Sequence, residues 1–304
     1  MAGLACWLLL GGGVLGVLVS ADTGVSARKL AALMAGVALC WVLPRLTMRQ
    51  RQGLIWTLLG AAVALCVVAN VQVDHNSWKL NTLNRPVYAA FSYLPRLTDA
   101  AFNQNAVAAF LILAIPFGLS LALQGSGWVR AAGGAASVLL LAELLLTESR
   151  AAMLSLGLAV ALFAIYSPKP WRWLAVAAPA AALALLASGI VALPMTLSWL
   201  PTGGSSAERV AIWQSALSMI ADAPLTGVGL GMFQRVYAGY MLPAYSTTQP
   251  HAHNLFLHTW AESGALGLTG MILLVAVAVR RWFAELCDPL TVGAAVSSAA
   301  ILLH

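Results

Sequence analysis

Charge is scarce in this 304-residue chain, where 9% of the residues are Asp, Glu, Lys or Arg and 61% are hydrophobic. A soluble domain carries roughly a quarter charged residues, so the composition excludes an ordinary soluble fold. The apolar residues lie in blocks of about 15 to 23, the helix length that crosses roughly 30 Å of hydrocarbon. The sequence therefore predicts an all-α, polytopic membrane protein with a single domain, 1–304.

Cysteine is also scarce, and its positions exclude two common uses. The four cysteines are Cys6, Cys40, Cys66 and Cys287, and none pairs with another at metal-ligand spacing. A disulfide framework and a zinc site are therefore poor interpretations. The formal net charge of +6 comes from basic residues spread between the apolar blocks, as membrane anchors are. We expect the lipid bilayer, and no nucleic acid, as a partner.

Nine apolar blocks are long enough to predict about nine membrane spans. They are 2–20, 29–44, 53–73, 105–123, 131–147, 151–166, 174–195, 264–279 and 289–304. The last block stops at His304 without a polar flank. We therefore expect the natural chain to continue beyond it, so that this chain is truncated at its C-terminus.

The distribution of Lys and Arg predicts the orientation. Eight of the 16 basic residues crowd into four short connectors, and the other eight are spread over two long loops and two short turns. Short connectors dense in Lys and Arg stay in the cytoplasm. The two long loops, about 74–104 and 196–263, are therefore predicted to face outward. In the second loop we expect a helix over 207–221 and a tight bend at Gly227, Gly229 and Gly231.

Histidines gather where the second loop ends in Pro-His-Ala-His-Asn. The outward histidines are His75, His251, His253 and His258. If the segment 253–263 is helical, Asn254, His258 and Glu262 share one face. Three interpretations stay open: histidines that cap a helix at the interface, a metal site completed by ligands from elsewhere, and a base that takes a proton from a hydroxyl.

Two arginines on the outward side can each be interpreted in two ways, as a structural residue or as a binding residue. Arg150 lies between two apolar blocks, where it either pairs with Glu143 or Glu148 or binds the phosphate of a lipid through its planar guanidinium. Arg209 lies near a predicted helix N-terminus, where it is either a solvated charge, alone or paired with Glu208, or an anion-binding group. A base beside cations suits group transfer from a lipid diphosphate to a hydroxyl.

Four stretches resemble parts of the O-antigen ligase family, which also includes bacterial O-linked oligosaccharyltransferases and polysaccharide polymerases. They are similar to its Asn-Pro-Asn-x-x-Ala, Ser-Arg-Gly/Ala, Arg-x-x-x-Trp…Pro-Leu-x-Gly-x-Gly and His-x-His-Asn-x-x-Leu…Glu-x-Gly segments. The stretches are 102–108, 146–151, 209–213 with 222–229, and 251–257 with 262–264. Gln104 stands where the family usually has proline.

The resemblance implies a GT-C-like helical membrane fold and an enzyme without metal or other cofactor. The implied reaction is an inverting transfer of a glycan from an undecaprenyl-diphosphate carrier to a glycan or protein hydroxyl, at the periplasmic face of a bacterial inner membrane. By position, His253 activates the acceptor hydroxyl, and Arg150 and Arg209 bind the diphosphate. The supporting substrate-binding residues are His251, Asn254, Glu262 and, more weakly, Arg235.

Other functions remain open at the level of sequence. A polysaccharide polymerase of the same family would use the end of a growing polymer as its acceptor. A transporter of lipid-linked glycans would place ionisable residues at the middle of the membrane, where only Glu143 is found. A purely structural subunit would not account for cations and histidines on one loop. The enzyme is therefore the favoured interpretation.

Overall fold

The computed structural model describes residues 1–72, 84–91, 93, 104–147, 149–166, 205–241, 249–284 and 289–303. Every regular element in these ranges is helical, which confirms the all-α prediction. The chain divides into two compact units, which are 1–46 with 194–280 and 47–193 with 281–304. The single domain stays a prediction.

The described ranges contain eleven α-helices and one short 3-10 turn, Leu43–Arg45. The helices are α1 (Ala2–Leu18), α2 (Thr23–Val42), α3 (Met48–Gln72), α4 (Asn84–Phe91), α5 (Gln104–Gln124), α6 (Gly127–Leu146), α7 (Arg150–Tyr166), α8 (Ser205–Asp222), α9 (Phe233–Tyr240), α10 (Leu255–Ala284) and α11 (Pro289–Leu303). Helix α8 confirms the helix predicted over 207–221.

Five helices are long and apolar enough to cross a membrane. They are Thr23–Arg45, Met48–Val71, Gln104–Leu123, Gly127–Leu146 and Leu255–Arg281. Two shorter apolar helices, Ala2–Leu18 and Ala151–Ala161, lie over the predicted spans 2–20 and 151–166, and α11 lies over 289–304. The predicted span 174–195 lies outside the described residues. The chain is thus a multi-pass membrane protein, while nine spans stay a prediction.

In the first unit, α1 packs backbone to backbone against α10 through glycine. A Cβ atom added to Gly12 would lie 2.4 Å from the Gly267 nitrogen, and one added to Gly270 would lie 2.5 Å from the Leu9 nitrogen. Small residues that let helix backbones approach this closely are a common way to join helices in membranes. This contact places the N-terminal part of α10 beside the end of α1.

The bend predicted at Gly227, Gly229 and Gly231 is confirmed, since all three have positive φ. It packs against a break in helix α10. Gly264 has φ of 65° and ψ of −168° inside that helix, and a Cβ there would lie 2.0 Å from the Leu225 oxygen. The bend satisfies backbone groups around the break, since Val228 N–H donates to the Ala261 oxygen at 2.7 Å and Ala265 N–H donates to the Pro224 oxygen at 3.0 Å.

The second unit is built mainly from apolar packing. Helices α3, α5, α6, α7 and α11 contribute to one buried aliphatic cluster, which includes Leu59, Leu111, Ile112, Leu140 and Val296. Burial of aliphatic side chains of this size contributes about 1.5–3 kcal/mol each when they leave water, although membrane-facing helices gain less. The unit therefore has the character of a scaffold.

Two polar contacts interrupt this apolar packing. The Asn70 amide donates to Glu143 Oε2 at 2.7 Å, so the buried Glu143 bonds to an amide on α3. The Ser149 hydroxyl donates to Asn105 Oδ1 at 2.9 Å, which joins the first two of the four family-like stretches. Arg150 begins α7, and its side chain lies outside the described residues. Its predicted pairing with Glu143 or Glu148 stays a prediction.

Candidate active site

The histidine loop, residues 251–254, is held in place by a hydrogen bond from α8. Trp213 Nε1–H of α8 donates to the Ala252 oxygen at 3.0 Å, and Ala252 is completely buried. The two flanking histidines are exposed, with ring centroids 4.2 Å apart. The third and fourth family-like stretches therefore meet at this loop, and they present His251 and His253 on its surface.

His253 has a left-handed backbone, with φ of 49°, and is the one residue other than glycine with positive φ in the described ranges. This conformation costs an L-residue roughly 1–2 kcal/mol, although histidine tolerates it better than most residues do. Strained backbone of this kind persists where the surroundings hold it, and it concentrates at functional sites. The strain is an observation in favour of a functional His253 that is independent of the resemblance.

Asn254 has a local structural role. Its side-chain oxygen accepts hydrogen bonds from Phe256 N–H and Leu257 N–H, both at 3.0 Å, so it is the N-cap of α10. The expectation that Asn254 shares a helical face with His258 and Glu262 is wrong for Asn254, because α10 begins at Leu255. The start of the helix is thus capped by the Asn254 amide.

Arg209 is exposed near the start of α8. It lies four residues before Trp213, and residues at this spacing are neighbours on one helix face. Trp213 is the residue of this face that bonds to the histidine loop. The approach of Arg209 itself to His251 and His253 stays a prediction.

Glu262 is buried, and three groups surround its carboxylate. Lys29 Nζ of α2 lies 2.5 Å from Glu262 Oε2, His258 Nε2 lies 3.5 Å from Oε1, and Phe233 N–H donates to Oε1 at 3.4 Å. The Lys29 ammonium also lies 3.4 Å from His258 Nε2. The predicted shared face of His258 and Glu262 is therefore confirmed, and α2 supplies a cation to it.

Arg235 lies at a different contact. Its guanidinium is 3.0 Å from Asp22 Oδ2, and Asp22 caps α2 by accepting from Val25 N–H at 3.0 Å. The pKa of Asp22 is lowered first by the Val25 hydrogen bond and second by the Arg235 charge. The structure thus places Arg235 against the start of α2.

Loss of hydration and one nearby charge bear on the protonation of His251. The pKa of His251 is lowered, first by loss of hydration and second by the positive charge of Lys29. A neutral imidazole can accept a proton from a hydroxyl. Within the described ranges, no group of three or more His, Cys, Asp or Glu side chains is arranged to hold a metal ion. The described arrangement in this unit is therefore a pair of exposed histidines with the Lys29 cation nearby.

Sequence reasoning missed Lys29 as a member of the site. It lies 233 residues before Glu262, and no motif in the sequence connects the two positions. Trp213 belongs to one of the family-like stretches, but the sequence around it does not predict its hydrogen bond to the histidine loop. Both contacts depend on the packing of distant helices.

Fold and site together define a multi-pass membrane protein with cations and histidines gathered at the ends of its helices. The O-antigen ligase family model matches residues 135–301, more than half of the chain, and the chain belongs to this family. No curated protein matches it. Membership means membrane glycan processing of the ligase or polymerase type, by an enzyme that acts on glycans and lipid-linked substrates.

Proposed function

We propose that this chain transfers a glycan from an undecaprenyl-diphosphate carrier to an acceptor hydroxyl at the periplasmic face of the bacterial inner membrane. The acceptor is a lipid A core sugar or a Ser or Thr of a protein; within the same family, the end of a growing polymer is the alternative. The observation that carries the proposal is His253, which the loop holds in a strained conformation on an exposed surface beside His251.

The chemistry requires three events at the anomeric carbon of the donor. His253 takes the proton of the acceptor hydroxyl, and the oxygen attacks the anomeric carbon from the side opposite the diphosphate. The bond between this carbon and the diphosphate oxygen breaks, and its electron pair leaves with the diphosphate. Attack from the opposite side inverts the configuration, and no metal is needed if cations stabilise the leaving group.

Arginine side chains supply this stabilisation in the proposal. Arg209 is suited to it because its planar guanidinium can donate two parallel hydrogen bonds to phosphate oxygens, and it lies one turn before Trp213, which bonds to the histidine loop. Arg150 is proposed as a second diphosphate-binding residue on the family resemblance. Asn254 and Glu262 support the site through the helix cap and through the contact with Lys29.

The proposal is tested by reconstituting the protein in vesicles with a lipid-linked glycan and each of the three acceptors in turn. His253→Asn is the informative variant, because asparagine tolerates a left-handed backbone but cannot act as a base near neutral pH. Loss of a general base lowers turnover by about 10²–10⁴-fold. Transfer by His253→Asn at the wild-type rate would remove His253 from the reaction, and loss of activity with a chelator would restore a metal mechanism.

A further inference from the structure

Lys29 lies at an unusual contact for a residue in the second turn of an apolar helix. Its ammonium is 2.5 Å from Glu262 Oε2 and 3.4 Å from His258 Nε2, so it joins α2 to the first turns of α10. Ionisable groups within membrane helices are costly and mark partners or functional sites. The need to neutralise the buried Glu262 carboxylate explains why a cation lies beside it. It does not explain why the Lys29 side chain is still partly exposed.

The exposure of the two partners is unequal. The Glu262 side chain is only 4% exposed, whereas that of Lys29 is 43% exposed. The carboxylate is therefore enclosed by protein, whereas the Lys29 side chain remains partly accessible from outside. An ammonium has three N–H donors; Glu262 and His258 occupy two directions, and the third is suited to a further acceptor.

The accessible side of Lys29 is near the histidine loop. The Lys29 ammonium lies 3.4 Å from His258 Nε2, and His258 N–H donates to the Asn254 oxygen at 2.9 Å, so Lys29 lies about one helical turn from the end of the histidine loop. The pKa of His251 agrees with this placement, since the charge of Lys29 is the second cause that lowers it. An anion bound beside this loop is therefore within Coulomb range of the ammonium.

The position of Lys29 is set by contacts of the helix that carries it. The Ser26 hydroxyl, one turn earlier, donates to the Leu230 oxygen at 2.5 Å, and Asp22 both caps α2 and pairs with Arg235. The α2 backbone is therefore anchored to the glycine bend and to α9. A cation that is held in place before its ligand arrives loses less conformational entropy on binding.

We propose that Lys29 is a further cation of the active site, which binds the diphosphate of the lipid-linked donor beside the histidine loop, with Glu262 as the positioning residue that holds its ammonium there. This inference rests on the proposed function, since it assigns one more contact to the same donor. It also gives Glu262 a defined role, which it performs through Lys29 and not by touching the donor.

The test measures binding of radiolabelled farnesyl diphosphate, a soluble prenyl diphosphate, to the full chain in nanodiscs of neutral lipid. Lys29→Met removes the charge at similar length, and we expect about 10- to 100-fold weaker binding, the usual loss for a charge-assisted hydrogen bond. Lys29→Arg should keep the affinity within a few-fold. Arg28→Met is the matched control, because it removes an exposed cation from the adjacent position of α2, and it should bind like the wild type.

A second variant separates binding from folding. Lys29→Met leaves the buried Glu262 carboxylate without its cation, which alone could destabilise the protein. The double variant Lys29→Met/Glu262→Gln removes both charges, so its thermal unfolding should return toward that of the wild type while its affinity for farnesyl diphosphate stays low. Glu262→Gln alone keeps the ammonium but loosens it, and should lower affinity less than Lys29→Met does.

Three results would overturn the inference. In the first, the wild type binds farnesyl diphosphate and both Lys29→Met and the double variant bind it equally well, which would leave Lys29 as a structural partner of Glu262. In the second, Lys29→Met weakens farnesyl diphosphate binding only in nanodiscs that contain an anionic lipid and not in neutral ones, which would make Lys29 a contact for lipid headgroups. In the third, the wild type transfers glycan from the lipid-linked donor and Lys29→Met does so with an unchanged KM for that donor, which would overturn the inference while the proposed function stands; absence of transfer by the wild type would instead overturn the proposed function.

Discussion

The two compact units hold their helices together in different ways. In the second unit, an aliphatic cluster built from five helices accounts for most of the packing, and polar contacts such as Asn70–Glu143 are added to it. In the first unit, segments more than 200 residues apart are joined by polar groups, through Ser26–Leu230 and Lys29–Glu262. The first unit also contains each of the described residues with positive φ except Gly127.

This difference indicates where the chemistry of the protein is concentrated. Polar and ionisable groups at membrane depth are expensive and usually mark a partner or a site; the second unit carries one described group of this kind, Glu143, which is bonded to Asn70. The first unit carries an accessible lysine, a strained histidine and a glycine bend seated in a helix break. We infer that the strained and polar groups of the site lower the stability of this unit. The second unit contributes most of the buried aliphatic packing.

The largest effect is expected from the helix break in the first unit. Gly264→Ala would force a Cβ to within 2.0 Å of the Leu225 oxygen at a φ of 65°, so we expect the variant to lose folded protein or to unfold far below the wild-type temperature. Gly36→Ala in α2 is the control, since nothing lies within 4 Å of its added Cβ and alanine favours a helix. Equal thermal unfolding of the two variants would contradict the role of the break.

The next prediction concerns Arg209, and it uses a substitution that keeps the charge and changes only the geometry of the donor group. Arg209→Lys keeps the charge but loses the planar fork that matches phosphate oxygens, and we expect about 10-fold or more loss in kcat/KM for the lipid-linked donor. Arg28→Lys makes the same change at an exposed position of α2 and should leave transfer unaltered. A steady-state assay in vesicles decides this, and unchanged kinetics for Arg209→Lys would exclude Arg209 from donor binding.

A smaller effect is expected from a tryptophan of the first unit, and a tryptophan of the second unit serves as its matched control. Trp213→Phe removes the hydrogen bond to the Ala252 oxygen, which costs about 1 kcal/mol of stability and loosens the histidine loop. We expect it to lower the transfer rate more than its small loss of stability explains. Trp128→Phe in the second unit changes a residue that stacks on Trp56 and is 69% exposed. If both variants lower transfer equally, the loop is not the sensitive element.

The smallest effect concerns protonation of His251. Since Lys29 helps to lower the pKa of His251, Lys29→Met should raise it toward its ordinary value, and Arg28→Met should change it less. In the folded wild type this pKa lies below the unfolded value near 6.5. The unfolded chain therefore takes up more protons below that pH, and the stability contributed by neutral His251 falls as pH falls. Histidine NMR titration of both variants measures the shift, and an unmoved His251 would contradict the contact.

The sequence predicts the helical framework well and the site only in part. Unbroken apolar blocks mark the spans, because hydrophobic length is a local property of the chain. The glycines at 227, 229 and 231 predict the bend. The Pro-His-Ala-His-Asn segment at the end of the second long loop predicts a cluster of histidines there. The family-like stretches identify His253 and Arg209, although nothing in them gives their geometry.

The remaining parts of the site depend on contacts between distant residues. The approach of Lys29 to Glu262 spans 233 positions, and the left-handed backbone of His253 has no sequence signal because histidine is usually right-handed or extended. The N-cap at Asn254 was predictable in kind, since asparagine is a favoured cap. The helical interpretation of 253–263 does not predict this cap, because it places Asn254 inside the helix whereas the helix begins at Leu255.

The central claim is that the histidine loop of the first unit performs the proton transfer, with the donor bound by neighbouring cations. A single-turnover experiment at saturating donor and acceptor tests it most directly, with His253→Asn compared with the wild type. The account predicts that His253→Asn binds the lipid-linked donor with unchanged affinity and transfers the glycan about 10²–10⁴-fold more slowly. A wild-type single-turnover rate in His253→Asn would contradict the claim.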